Sequence, residues 1–391
     1  MRKRLLIGAL ALAAAGLGAV PLAAETAGAA PSVSHRNAHV CSTPSAGNAG
    51  CAAIRHETIS ASNKPVHNVT PSGYGPADIQ SAYNIAGASG GGKTVAIVDA
   101  YDDPTAEADL GVYRSQFGLP ACTTANGCFK KVNQTGGTKY PPRNGGWAEE
   151  ISLDLDMVSA TCPGCHILLV EASSASFANL SAAVNYAASV PGVVAISNSY
   201  GGSDSSALSA YDHPGIAITA STGDAGFGVE SPASFDSVVA VGGTSLTKAS
   251  NSRGWSESAW SGAGSGCSTR NPKPSWQTAA TQCNGKANAD VSAVADPNTG
   301  VAVYDSTKYQ GYYGWLVFGG TSASSPIVAS IYAMSGNTSG YPASYTWAHA
   351  SSLNDVTTGS NGTCSPSVWC HAGAGWDGPT GLGTPNGTSG F

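Results

Sequence analysis

Five short runs, at 94–98, 166–170, 193–196, 215–219 and 238–241, are almost wholly apolar and rich in Val, Ile and Ala, without polar alternation. A strand with one wet face alternates, whereas a strand covered on both faces does not. Helical patterns at 105–117, 147–160 and 175–190 fall between them. This order predicts an α/β fold, a mostly parallel β-sheet flanked by helices on both faces and joined by right-handed crossovers. In such sheets ligands and catalytic groups gather beyond the carboxyl ends of the strands. Asp99, Ser197 to Tyr200 and Asp224, which follow three of the runs, are therefore the first candidates. No glycine-rich phosphate loop follows the first run. The acidic string Asp99-Ala-Tyr-Asp-Asp-Pro104 stands there and would repel a pyrophosphate, which excludes a nucleotide-binding reading.

Charge narrows the function further. Only 11% of the 391 residues are charged, the formal net charge is -6, and no basic run occurs. Nucleic acid and anionic membrane surfaces, which need clustered Lys and Arg, are excluded as partners. The first thirty residues are a separate object. Arg2, Lys3 and Arg4 precede an apolar stretch, and Ala27-Gly28-Ala29 supplies small residues for cleavage, so 1–30 reads as a signal peptide of a secreted, extracellular protein. No membrane attachment is expected after its removal. Residues 31–67 are polar, without helical or strand periodicity, and read as a short leader or linker before an organised domain over 68–391. The ten cysteines fall as sequence neighbours, and sequential pairing into five disulfides is the simplest arrangement for an exported chain. Spacing alone leaves the connectivity open. Cys162-Pro-Gly-Cys165 precedes an apolar run instead of opening a helix, and no second such pair exists for zinc, so a structural disulfide is the better reading.

The most specific local string is Gly319-Gly-Thr-Ser-Ala-Ser-Ser-Pro326, between the apolar 315–318 and the helical pattern 327–334. A strand, a glycine turn and a serine at a helix start expose the Ser322 hydroxyl where the helix dipole favours developing negative charge. The string resembles the nucleophile motif shared by subtilases and the sedolisin, or serine-carboxyl, peptidases. The base separates the two. None of the eight histidines sits in the His-Gly-x-His string of a subtilase. Trp147-Ala-Glu-Glu-Ile-Ser-Leu-Asp-Leu-Asp-Met157 stands in that place. At 100° per residue Glu150 and Asp154 share the border of the apolar face, while Glu149, Ser152 and Asp156 are expected to point to solvent.

The sedolisin resemblance covers roughly 70 to 390 and implies roles for these residues. Glu150 is the general base for Ser322, and Asp154 orients it and shares its charge. Asp224, in Ser221-Thr-Gly-Asp-Ala-Gly226, stands where subtilases have asparagine, and donates to the oxyanion only while protonated. An unperturbed Glu titrates near pH ~4.3, so an acidic working range is expected. Asp355 and Val356, with Gly373, Gly375 and Asp377, resemble the calcium loop that closes the sedolisin domain, which implies one structural Ca2+ held by oxygen atoms. Protein or peptide substrates and a monomer are expected. The chain departs from the family at three places: 31–67 stands where a large folded propeptide is usual, Tyr200 replaces the tryptophan of the Ser-x-Ser-Trp-Gly-Gly string, and Asp99 replaces a frequent Glu. A subtilase-like hydrolase with another base and an inactive secreted binding protein on the same fold are the rival readings.

Overall fold

The computed structural model describes residues 33–337 and 340–391; the expected signal peptide, 1–30, lies outside them. In chain order its strands are β1 (Val33–His39), β2 (Gly50–Cys51), β3 (Ile54–Ser60), β4 (Thr94–Ala100), β5 (Phe129–Asn133), β6 (His166–Ala172), β7 (Val193–Asn198), β8 (Tyr200–Ser203), β9 (Ala217–Ser221), β10 (Glu230–Ser231), β11 (Val239–Lys248), β12 (Trp255–Ala259), β13 (Gly266–Pro272), β14 (Gly285–Asn288), β15 (Val291–Val294), β16 (Val301–Tyr309) and β17 (Tyr312–Gly319). Its helices are α1 (Pro76–Ala82), α2 (Ala106–Gln116), α3 (Gly145–Thr161), α4 (Phe177–Ser189), α5 (Thr321–Ser335) and α6 (Pro342–Ala348).

The five apolar runs become β4, β6, β7, β9 and β11 of the central sheet, whose order is β12-β11-β9-β7-β4-β6-β5, with β15 also on β11. All its pairings are parallel except the β11–β12 edge. The residues from Val95 to Val98 have no solvent exposure, as expected of strands covered on both faces. The chain begins the sheet at β4, builds β5 and β6 on one side, then crosses to β7, β9 and β11 on the other. The switch point is therefore at the carboxyl ends of β4 and β7, where a site is expected. Helices α3 and α5 pack against each other; α3 lies on β4 and α5 on β7, β9 and β15, while α4 packs on β6, β4 and β7.

The stretch read as a short polar leader or linker without strand periodicity does carry strands. β1 and β3 pair antiparallel from Val33↔Ser60 to His39↔Ile54, and β3 joins the hairpin β16–β17 in a sheet ordered β1-β3-β17-β16. The alternation is present in Ile54-Arg-His-Glu-Thr-Ile-Ser60, but two of its inward residues are charged. Arg55, Glu57 and Ile59 are buried, His56, Thr58 and Ser60 less so. Arg55 is paired on both sides, by Glu149 (Nη1 to Oε1 and Oε2, 2.6 Å each) and by Glu57 (Nη2 to Oε1, 2.6 Å). Hydropathy cannot register a strand whose inner face is ionic.

The same sheet corrects a second expectation. Glu149, Ser152 and Asp156 do not face solvent; α3 is buried from Gly146 to Thr161. β16 packs over its outer face. Asp156 Oδ2 accepts the Tyr304 N–H (2.9 Å), and Glu149 takes Arg55. Polar residues there mark a face that pairs with another polar layer. All five neighbouring cysteine pairs are disulfides: 41–51, 122–128, 162–165, 267–283 and 364–370.

Candidate active site

Ser322 is the second residue of α5, and Gly320 before the helix has φ +92°, a backbone conformation that favours glycine. The fourth residue after Ser322 is Pro326, which has no N–H, so the Ser322 carbonyl is left without its helical partner. Ser199 Oγ lies 3.3 Å from that carbonyl oxygen and 2.8 Å from Asp154 Oδ1. One hydroxyl thus ties the end of β7 to both helices. Ser325 adds a second tie, with Ser197 Oγ at 2.8 Å and Thr219 Oγ1 at 2.9 Å.

Asn144 caps α3 by accepting the N–H groups of Gly146 (3.1 Å) and Trp147 (3.2 Å). One turn on, Glu150 meets the nucleophile candidate: Ser322 Oγ donates to Glu150 Oε2 at 2.9 Å, with Ser199 O at 3.2 Å. Glu150, Asp154, Asp99 and Ser322 all have zero exposure. Glu150 Oε1, Asp154 Oδ2 and both Asp99 oxygens lack a protein hydrogen-bond partner. Three carboxyl groups therefore crowd one dry pocket. Burial, then the charges of Asp154 and Asp99, hold Glu150 well above the ordinary range, with the Ser322 hydrogen bond pulling the other way. Burial and the charge of Asp99 do the same to Asp154, and burial pushes Asp99 up to about 8. Such groups share protons and titrate as a cluster.

Asp224 follows β9. Its Oδ1 accepts from Thr321 N (2.7 Å) and Thr321 Oγ1 (2.8 Å), and its buried Oδ2 has no protein partner. A Cβ built on Gly320 would strike the Ala52 carbonyl oxygen and come within 2.6 Å of Asp224 Oδ2. The free carboxyl oxygen and the Ala52 carbonyl, which accepts from the Ser322 N–H (3.4 Å), therefore both border the Gly320 turn. Burial pushes Asp224 up to about 8 against the Thr321 hydrogen bonds. Burial thus favours the protonated form, which is the only form that can donate a hydrogen bond. Ser199, within the Ser197–Tyr200 stretch singled out from sequence, Thr321 and Glu230 complete the site; the last two were not assigned to it from sequence, although Thr321 stands beside Ser322. Glu230, pushed up to about 7 by burial, stands against Gly201 and Gly223, and no sequence pattern marks it. A cavity of about 240 Å³ lies between Asp224, Ala225, Gly201, Glu230 and residues 39–52. A cavity of about 830 Å³ is lined by Phe227, Ser265 to Pro272 and Trp369, and none of Glu150, Asp154, Asp224 or Ser322 lines it.

At the carboxyl end the two aspartates meet one glycine loop. Asp377 is buried; its Oδ1 takes Thr380 N (3.0 Å) and Oγ1 (2.9 Å), its Oδ2 the Gly373 N–H (3.2 Å). Asp355 Oδ2 takes the Gly375 N–H at 2.9 Å. Burial, and in smaller part the charge of Asp355, pushes Asp377 up to about 7. An all-oxygen donor set of two carboxylates with backbone carbonyls fits a hard cation such as calcium. Cys364, Cys370 and His371 also gather, but both cysteines are in a disulfide and offer no thiolate.

The fold and site define a subtilisin-like α/β protein whose helix-start serine faces carboxylic acids instead of a histidine. No family model matches the chain. Kumamolisin of Bacillus sp. (strain MN-32) is 30% identical over 367 residues, covering 82% of this chain and 63% of that protein. Sedolisin of Pseudomonas sp. (strain 101) is 34% identical over 178 residues, 40% of this chain and 29% of that protein. Among solved structures, Pseudomonas sedolisin, a serine-carboxyl proteinase complexed with pseudo-iodotyrostatin, superposes with a TM-score of 0.68 at 25% identity, covering 81% of this chain and 96% of that one. The chain belongs to the sedolisin and kumamolisin family of peptidases. It spans less than two thirds of the length of the curated relatives it matches.

Proposed function

We infer that the protein is a secreted serine-carboxyl endopeptidase that cuts protein or peptide substrates through an acyl-enzyme on Ser322. The observation that carries this is the 2.9 Å hydrogen bond from Ser322 Oγ to Glu150 Oε2 inside a buried carboxyl cluster. Ser322 Oγ attacks the substrate carbonyl while its proton passes to Glu150, and Asp154 shares the remaining charge. The oxyanion accepts from Ser322 N–H and from the Asp224 carboxyl, which must be protonated to donate. Glu150 then returns the proton to the departing amine, and a water molecule, deprotonated by the same carboxylate, releases the acyl group. Two conditions bound the pH range. The Glu150 cluster must carry a charge, and Asp224 must not. Burial moves the lower limb upward from the ordinary Glu value, and Asp224 closes the upper side near its value of about 8.

Asp355 and Asp377, with the carbonyls of Val356, Gly373 and Gly375, would hold one calcium ion, whose chemistry is structural: it neutralises the paired acids and fixes the closing loop. The cysteine pairing supports export, since five disulfides suit an oxidising compartment. The test is Glu150→Gln, assayed on an unfolded protein substrate from pH 3 to 9. Loss of kcat by about 10³-fold or more is expected, within the range for removing a general base from a coupled unit. Retained activity would return the site to a subtilase-like mechanism with another base.

A further inference from the structure

Thr321 grips the carboxyl of Asp224, but the backbone of Asp224 lies in no strand: β9 ends at Ser221 and β10 begins at Glu230. The segment 222–229 is fastened instead to a second irregular segment, 260–265, between β12 and β13. Gly264 N–H donates to Gly223 O (2.8 Å) and Gly226 N–H to Gly262 O (2.8 Å), while Gly228 and Ser265 exchange N–H bonds in both directions (3.0 and 2.9 Å). The two backbones are in close contact, since a Cβ on Gly264 would strike Thr222 O. With no ladder on either side, the place of both segments depends on what ties them from outside.

Asn361 makes that tie. It is buried, its Nδ2 donates to Ala263 O (2.5 Å) and to Ser265 Oγ (2.7 Å), and its carbonyl accepts the Phe227 N–H (2.9 Å). Both amide donors are used, and one residue holds both segments three residues beyond Asp224. The fit is close: a Cβ on Gly226 would come within 2.7 Å of Asn361 O, and one on Gly362 within 2.9 Å of Phe227 Cβ. Asn361 is itself anchored, because its N–H donates to Cys370 O (3.0 Å) and the Cys364–Cys370 disulfide closes the loop that follows it. Ser265 Oγ, which receives the amide, passes its own proton to Trp369 O in the same loop (2.6 Å).

We propose that Asn361 is a positioning residue of the oxyanion site, which fixes Asp224 by clamping the segment that follows it against 260–265 and the disulfide loop. The proposal rests on the peptidase reading above. An oxyanion donor contributes only when its place is set before the charge develops, so a loosened clamp lowers kcat and leaves ground-state binding where it is. It also admits water to Asp224, which relieves the burial that holds its proton, and the alkaline limb of the kcat profile then moves toward acid. The charged groups around Asp224 are Glu230 and Glu150, and His39 lines the same cavity; none of them is hydrogen-bonded to Asn361 or Ser265.

The test compares the full chain with Asn361→Ala and Ser265→Ala in hydrolysis of an internally quenched peptide from pH 3 to 9. In Asn361→Ala kcat should fall about tenfold or more, KM should change less than about twofold, and the alkaline limb should move about one pH unit toward acid; Ser265→Ala should act in the same direction by less. Added to Asp224→Ala, which leaves no donor to misplace, Asn361→Ala should cost less than about twofold further in kcat. An unchanged kcat, a loss carried by KM, an alkaline limb that stays in place, or the full tenfold loss retained beside Asp224→Ala would each overturn the proposal and leave the peptidase reading standing. If Asn361→Ala does not fold, kcat and the alkaline limb of Ser265→Ala decide by the same criteria. Absence of hydrolysis by the unaltered chain at every pH would instead remove the peptidase reading on which the proposal rests.

Discussion

Carrying the protein from pH 5 to pH 8 should destabilise it, and the buried acids set the slope. Unfolded carboxyl groups ionise near pH ~4, whereas folded Asp99 and Asp224 hold their protons to about 8. A group whose folded pKa is raised contributes stability that is present below the unfolded value and lost as pH climbs through the folded one. Each retained proton is worth at most about 1.4 kcal/mol per pH unit, so these two alone contribute up to about 3, brought by relaxation and water entry to roughly 1–2, and the other raised buried acids act with the same sign. With ~2.1 cal/mol/K of unfolding entropy per residue, that is about 2 °C of Tm per pH unit for a chain of this size. His39 and His56, whose values burial lowers, act with the opposite sign below pH ~6.5, so the fall should be steepest between pH ~6.5 and ~7.5. Calorimetry at one scan rate measures it, with Asp99→Asn as the control. The amide keeps the shape of Asp99, cannot ionise, and should flatten the curve. A Tm that stays level or rises over this interval, or an unchanged slope in Asp99→Asn, would refute the reasoning.

Three further outcomes follow from the same geometry. Asp224→Asn supplies a donor that does not titrate, so the alkaline limb of the kcat profile near pH 8 should disappear, while Asp224→Ala should lower kcat about 10²- to 10³-fold at every pH. Chelation of calcium should lower the Tm of the unaltered protein and leave that of Asp377→Ala where it is, read by thermal melts with and without chelator. Arg55→Ala strands Glu149 without its buried cation, while Glu57 keeps Arg36, and should cost about 3–5 kcal/mol in chemical denaturation, far more than a surface ion pair; a loss under ~1 kcal/mol would mean that Glu149 is already neutral.

How much of this was legible depended on whether hydropathy and structure use the same variable. The central strands announced themselves because burial on both faces selects Val, Ile and Ala, and β4, β6 and β7 begin at the residues expected. The spacing of Glu150 and Asp154 placed both on the inner border of α3, and the glycine turn before Ser322 located the helix start. Connectivity of the cysteines was readable only as the simplest option. The opposite face of α3 was misread for one reason, that its cover is a sheet whose inner residues include Arg55 and Glu57. An ionic layer between two elements resembles two solvent faces when each is read alone.

Reading the two halves together removes that ambiguity and links the misread leader to the site. The buried Arg55–Glu149 pair closes the β1–β3 hairpin over α3 and fixes β3 just beyond Ala52, whose carbonyl accepts from the Ser322 N–H. Any movement that frees the cleft by withdrawing β3 must therefore break a buried ion pair, which is costly. Movement confined to Val40–Ala53 spares that pair, yet it exposes Val40, Ala49, Cys51 and Ala53, which belong to the buried apolar core, so it is opposed by lost burial as well as by broken hydrogen bonds of about 1 kcal/mol each.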